Sequence, residues 1–186
     1  MVGGIDMTIK EFSQIDNTFN EASFLTKVNN IFIKFFTAIM KDRLDEVDHF
    51  IGDDVFTYGE EILAPIRASN YRKMYDELNV KDSFIDSIEI INNSYIITVN
   101  LEARYMDYIL DLSSGHIVSG NDSSRIKVDY KLTFEKKVDA TDQGISKKCH
   151  ACGAPMNVNN SGLCNYCGTI YKQEKHDWVM INITKC

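Results

Sequence analysis

The chain has 186 residues, a formal net charge of −7, 44% hydrophobic and 25% charged residues, two prolines and five cysteines. That length holds one globular domain plus a small appendage, and the ordinary composition with no biased tract argues against long disordered stretches. The acidic balance speaks against a general nucleic-acid binder, and the longest apolar run, Ile31 to Met40, is broken by Lys34 and is far shorter than the ~20 residues a spanning helix needs.

Before Asn20, the apolar residues Ile9, Phe12, Ile15 and Phe19 fit either a short arm or a helix packed on the rest. From Asn20 the period is helical. Phe24, Val28, Ile31, Phe35 and Ile39 form a stripe that Leu25, Phe32 and Phe36 widen, with Lys27, Asn30, Lys34 and Lys41 mostly on the opposite side. Leu44, Val47, Phe50 and Ile51 suggest a second short helix. A third, capped by Asp53 or Asp54 and carrying Phe56, Ile62 and Leu63, is expected to end or kink near Pro65. Residues 68–76 read as one more helical turn.

From Asp82 the period becomes two. Ile88 and Ile90 share a face, and Asn92-Asn93 reads as a hairpin turn. Tyr95, Ile97, Val99, Leu101, Ala103 and Tyr105 line one side of the next strand, whose alternation falters between Asp107 and Leu110 as at a bulge. Ser113-Ser114-Gly115 and Gly120-Asn121-Asp122 read as turns. Ile126, Val128, Tyr130, Leu132 and Phe134 then alternate with charged residues, the signature of an antiparallel strand with one wet face. Trp178 to Ile183 offers a last short strand. The expected architecture is α+β: helices first, then a curved antiparallel sheet.

Between the last two strands lies Cys149-His150-Ala151-Cys152-Gly153, then a turn-rich loop to Leu163, then Cys164-Asn165-Tyr166-Cys167-Gly168. Two Cys-x-x-Cys pairs, each followed by glycine, suit a tetrahedral thiolate site. The expected ion is structural Zn2+ on Cys149, Cys152, Cys164 and Cys167, since four thiolates leave no open position for a catalytic water. Two disulfides, a redox dithiol or a rubredoxin-like iron site share the same spacing. His150 and His176 are not needed as ligands, and Cys186 has no partner at ligand spacing. So small a module cannot bury enough surface to fold alone, and the metal must supply its folding energy. A hairpin connection tolerates such an insertion, because loop-closure entropy grows slowly with length.

The helix Phe24–Met40, the strand ending in Asp107-Tyr108, Gly120 before the long alternating strand, and the cysteine-rich insertion closing on Asp177-Trp178 together resemble the Tim44-like domain family. The family is named after a subunit of the mitochondrial inner-membrane protein-import motor, and bacterial members with a zinc ribbon inserted before the last strand are often labelled transport proteins. The resemblance spans residues 15–183. It implies a cone-shaped α+β fold like nuclear transport factor two, with helices packed into the sheet around a hydrophobic pocket. The division implied is residues 1–145 plus 176–186 as the cone and 146–175 as the ribbon.

The resemblance implies a non-enzymatic binding or adaptor domain linked to protein transport. Its expected partner is a protein or an anionic membrane surface, with a hydrophobic ligand in the pocket and homodimer formation as further expectations. The ribbon lysines Lys147, Lys148, Lys172 and Lys175 would give it a basic edge. As given, the chain reads as a soluble domain; an upstream anchor in a longer chain would make it membrane-associated. The alternative is a cone-pocket enzyme of isomerase or dehydratase type, with Asp107, Tyr58, Tyr105, Tyr108 and His116 as candidate groups. Nucleic-acid binding through Tyr166, Tyr171 and the neighbouring lysines is the weakest reading.

Overall fold

A computed structural model describes residues 5–138, Tyr166 and residues 177–186. The segment before Asn20 forms both a strand and a helix. β1 (Ile5–Asp6) pairs with the far end of the sheet, and α1 (Ile9–Ile15) starts at a reciprocal cap between Thr8 and Glu11. α1 buries Phe12 completely. α2 (Glu21–Lys41) opens where the Asn20 side chain accepts the Ser23 N–H at 2.9 Å. It closes at Asp42, which stands in the left-handed region (φ 57) while the Asp42 and Arg43 N–H groups collect the last carbonyls. The expected stripe from Phe24 to Ile39 is buried against the sheet.

The next stretch corrects the expectation of a short helix: it forms two 3-10 turns, Leu44–Glu46 and Asp48–Phe50. Leu44, Val47 and Phe50 recur every three residues, which suits a helix of three residues per turn better than an α-helix. α3 (Asp53–Ala68) is capped by the Gly52 backbone rather than by Asp53 or Asp54, both of which sit in its first turn and favour the helix dipole. Nor does α3 end at Pro65, which lies one turn from its C-terminus. The carbonyl that Pro65 leaves unbonded belongs to the exposed Glu61 and is open to water.

The second correction concerns residues 68–76. β2 (Tyr71–Ile91) already begins at Tyr71, and its pairing with β3 (Ser94–Asp111) is interrupted at Asp76/Asn79, Val80/Asp82 and Ile85/Ser87. Those irregularities erase the two-residue alternation that would have exposed the strand in the sequence. Asn92 and Asn93 make the expected turn, both at positive φ, as a tight hairpin of primed type requires. β3 buries Tyr95, Ile97, Val99, Leu101, Ala103 and Tyr105 on one face, as expected, and shifts register after Tyr105 and after Ile109.

β4 (Ile117–Lys137) holds the third correction. Gly120-Asn121-Asp122 is not a turn but an irregularity inside the strand, where Asp122–Arg125 bulge opposite Met106 alone. β5 (Val179–Lys185) pairs antiparallel with β4, placing Met180 beside Phe134 and Ile183 beside Leu132. The sheet runs β1-β2-β3-β4-β5 in chain order, antiparallel throughout, with α1–α3 on one face. This is an α+β domain whose core lies between the helices and the inward sides of β2 to β5.

Candidate functional site

Three places bear on function: the interior between α2 and the sheet, the open face of the sheet, and the junction where the end of β4 lies beside the start of β5.

The interior is aromatic. Phe36 of α2 lies 4.8 Å from the Tyr75 ring, 5.6 Å from Tyr130 and 6.1 Å from Tyr105, while Phe32 meets Tyr130 at 5.0 Å. Rings therefore occupy the space under α2. The Tyr105 and Tyr130 hydroxyls bond each other at 2.6 Å in the core. Burial pushes Tyr105 up to about 12 and raises Tyr75, Tyr130 and Tyr58 as well. The Tyr108 hydroxyl donates to Asp76, a bond that, ahead of burial, pushes it up to about 12. A phenol that exchanges protons near neutral pH needs the opposite shift.

Asp107, the carboxylate nominated by the sequence, is ion-paired with Lys73 at the edge of this cluster, and Lys73 also lies over the Tyr75 ring at 5.0 Å. His116 is exposed beyond the β3–β4 turn, away from the buried tyrosines. Tyr58, Tyr75, Tyr105 and Tyr130 sense one another electrostatically, so the structure brings Tyr58 and Tyr105 together but leaves His116 outside. Tyr75 and Tyr130 complete the cluster without having been nominated; the inward position of Tyr130 on its alternating strand was an available signal, whereas Tyr75 fell in the stretch read as helical.

A structural role for the hydroxyl pair makes a specific demand. Tyr105→Phe strands the Tyr130 hydroxyl and is expected to cost about 1–3 kcal/mol. Adding Tyr130→Phe should recover much of that loss. Denaturant melts of the two single variants and the double variant read the coupling directly.

The open face of the sheet is charged and wet. Lys127 and Arg104 meet Glu102 at 3.1 Å, and Lys131 meets Asp86 at 3.0 Å.

At the junction, Glu135 of β4 pairs with Val179 of β5, so the end of one strand and the start of the other are neighbours. Two ion pairs fix this place to the helices. Lys27 of α2 reaches both Asp177 oxygens at 2.5 Å, and Lys136 meets Asp16, just past α1, at 3.1 Å. The second pair is the more sequestered, its side chains only 12% and 11% exposed. Trp178 packs edge-on against Phe24 at 4.9 Å and lies 6.4 Å from both Phe12 and Phe19. The two ion pairs, Trp178, Phe19 and Phe24, with Thr18, Asn20 and Ser23, line a cavity of about 270 Å3. Lys27, assigned to the solvent side of α2 by periodicity, is therefore a clasp at the junction.

Burial would raise the Asp16 carboxyl, but hydrogen bonds from Thr18 and Lys136 together with the Lys136 charge hold it below the usual range. A carboxyl lowered in the folded state adds stability above its unfolded value, near 3.9, and loses that stability as pH falls through the folded value. Asp16→Asn should therefore lower the melting temperature at pH 7 and converge with the parent chain at pH 2–3. Melting curves across that range check it.

The zinc expectation rests on Cys149, Cys152, Cys164 and Cys167, and all four lie outside the described residues. Lys147, Lys148, Lys172 and Lys175 lie outside them too. Among the described residues no group of three or more His, Cys, Asp or Glu side chains is placed to hold a metal, and no helix is long and apolar enough to cross a membrane.

A model of the Tim44-like domain matches residues 5–144, three-quarters of the chain. The chain belongs to the Tim44-like domain family. A comparison with curated proteins returned no match. The match to the Tim44-like domain spans α1 to β4 and ends before Cys149, so it embraces the aromatic interior and the first half of the junction. In this Tim44-like domain, Asp177 and Trp178 are supplied from beyond the matched region, and they seat the last strand against α2.

Proposed function

We propose that this Tim44-like domain is a non-enzymatic binding or adaptor module, linked to protein transport and associated with a membrane, that carries a structural zinc ribbon. The observation that carries the reading is the family match across α1 to β4. The interior agrees with it. Asp107, Tyr105 and Tyr108 are each bound to a neighbouring side chain, and burial or a carboxylate partner pushes the tyrosines away from neutral pH. The long bulged strands and the helices on one face suit the cone of nuclear transport factor two, with aromatic rings filling its middle.

Zinc fits the donor set. Cys149, Cys152, Cys164 and Cys167 supply four thiolates at the spacing a closed tetrahedral shell takes, and the adjacent ends of β4 and β5 give an inserted ribbon a closed root. Bound zinc would supply the ribbon's folding energy and no chemistry. The lysines Lys147, Lys148, Lys172 and Lys175 flank the cysteines and would give the ribbon a local basic edge toward an anionic surface on an otherwise acidic chain.

Elemental analysis of the purified full chain is expected to return about one zinc per molecule, lost in a Cys149→Ser, Cys164→Ser variant whose domain still melts cooperatively. Metal-free protein, or four cysteines found in disulfides, would end the ribbon reading. Co-sedimentation with anionic vesicles should show binding at low salt that weakens at physiological salt. No pelleting at either salt removes the membrane part and leaves a protein-docking domain.

A further inference from the structure

His49 is only 7% exposed, and its Nε2 is a buried atom with no hydrogen-bond partner. Among the described residues Asn29 Oδ1 shares that condition, but an amide does not take up a proton in the range where an imidazole does. A neutral imidazole tolerates the position, because with its proton on Nδ1 the Nε2 atom is an idle acceptor. A protonated ring has an N–H at both nitrogens. The one at Nε2 would be an unpaired donor on a buried cation.

The surroundings add to that penalty. The ring packs on Phe50 at 4.0 Å, and the Lys34 ammonium of α2 lies over the same Phe50 ring at 4.5 Å. Burial first, and then the Lys34 charge, hold His49 below the ordinary imidazole range, with the adjacent Asp48 opposing them. Residues 179–183 of β5, against which this 3-10 turn packs, carry no charged side chain. Asp45 and Glu46 in the preceding turn and Asp53 and Asp54 in α3 exert no pull on the ring comparable with that of Asp48.

Residues 44–52 strap the last strand in place. Met180 is fully buried, with Phe134 of β4 on one side of it. On the other side Ile51 forms a parallel bridge to Met180, and the Gly52 N–H donates to the Met180 carbonyl at 2.9 Å. His49 stands immediately before these ties, between the buried Val47 and Ile51. A histidine lowered in the folded state returns to an ordinary value near 6.5 once released. It therefore holds the strap fully above about pH 6.5 and weakens it as pH falls toward the folded value. That window lies above the one in which the lowered Asp16 carboxyl titrates.

We propose that His49 makes residues 44–52 an acid-released latch on β5: a proton on Nε2 frees Ile51 and Gly52 from Met180 and bares that edge of the strand, while α2 and the other strands stay folded. Hydrogen exchange on the full chain, read as protection factors so that the intrinsic pH dependence of exchange is removed, tests it. Protection of the Gly52 amide should fall by up to about tenfold between pH 7.5 and 5.5, the gain in opening from a ring that protonates freely once released. Phe35 in α2 and Val99 in the central strand β3 should keep theirs. His49→Leu and His49→Gln should each abolish the fall, and His116→Gln, at an exposed position, should preserve it. Constant protection at Gly52 overturns the proposal, as does a fall that both His49 variants retain or one that Val99 shares equally. Should neither His49 variant fold, the imidazole proton resonances of the parent chain decide. A His49 ring half-protonated at or above pH 6.5 overturns the latch, and one that stays neutral below that pH while Gly52 loses protection supports it.

Discussion

Phe36→Ala is expected to destabilise the domain by about 3–5 kcal/mol, the range for removing a large buried aromatic ring. Phe36 is 1% exposed and touches the rings of Phe32, Phe35, Tyr75, Tyr105 and Tyr130, drawn from α2 and three strands. Those neighbours are held by different elements and cannot collapse together into the space, so the cavity cost adds to the lost transfer energy. At this chain length the loss corresponds to a melting-temperature drop of about 8–15 °C. The same measurement distinguishes a filled interior from an open pocket. Around a ligand-sized void the ring would already lack contacts on one side, and its removal would cost ~1 kcal/mol or less.

The second large effect is expected at Gly120→Ala. Gly120 stands at φ +83, and a Cβ there would lie 2.1 Å from the Asp107 carbonyl oxygen and 2.6 Å from the Tyr108 Cα. Both are backbone atoms of the paired strand and have no rotamer into which to retreat. Strain at positive φ and forced displacement of β3 together should cost on the order of 3 kcal/mol. Gly115 provides the control. It has a similar φ of +73 but nothing within 4 Å of an added Cβ, so Gly115→Ala carries the backbone term alone, about 1–2 kcal/mol. Equal losses at the two sites in urea titrations would mean that close strand approach is not what requires Gly120.

The elements legible in the sequence are those whose local pattern and tertiary setting agree. α2, β3 as far as Tyr105 and the second half of β4 each bury one face along an uninterrupted period, and the Asn92-Asn93 turn uses a residue type that tolerates positive φ. The first half of β2 was not legible, because its bulges reset the alternation every few residues. The turns from Leu44 to Phe50 misled because a spacing of three is compatible with both helix types over so short a run. Gly120 signalled an unusual backbone but not which kind, since a turn and a bulge both use positive φ. The ion pairs were beyond reach for another reason. Lys27 and Asp177 are 150 positions apart and Lys136 and Asp16 are 120 apart, and no local rule links residues at such separations. Tyr105 and Tyr130 were placed on the inward sides of their strands, but their mutual hydrogen bond depends on strand register, which composition does not encode.

The β4–β5 junction has a consequence for how such a chain can change over time. Its two gateposts, Lys136 and Asp177, are each moored to residues far upstream and flank the last strand pair, Glu135 with Val179. A connection between two ends so close together closes at an entropic cost that grows only slowly with its length. Descendants of this gene can therefore lengthen or exchange the intervening residues with little disturbance to the strands on either side.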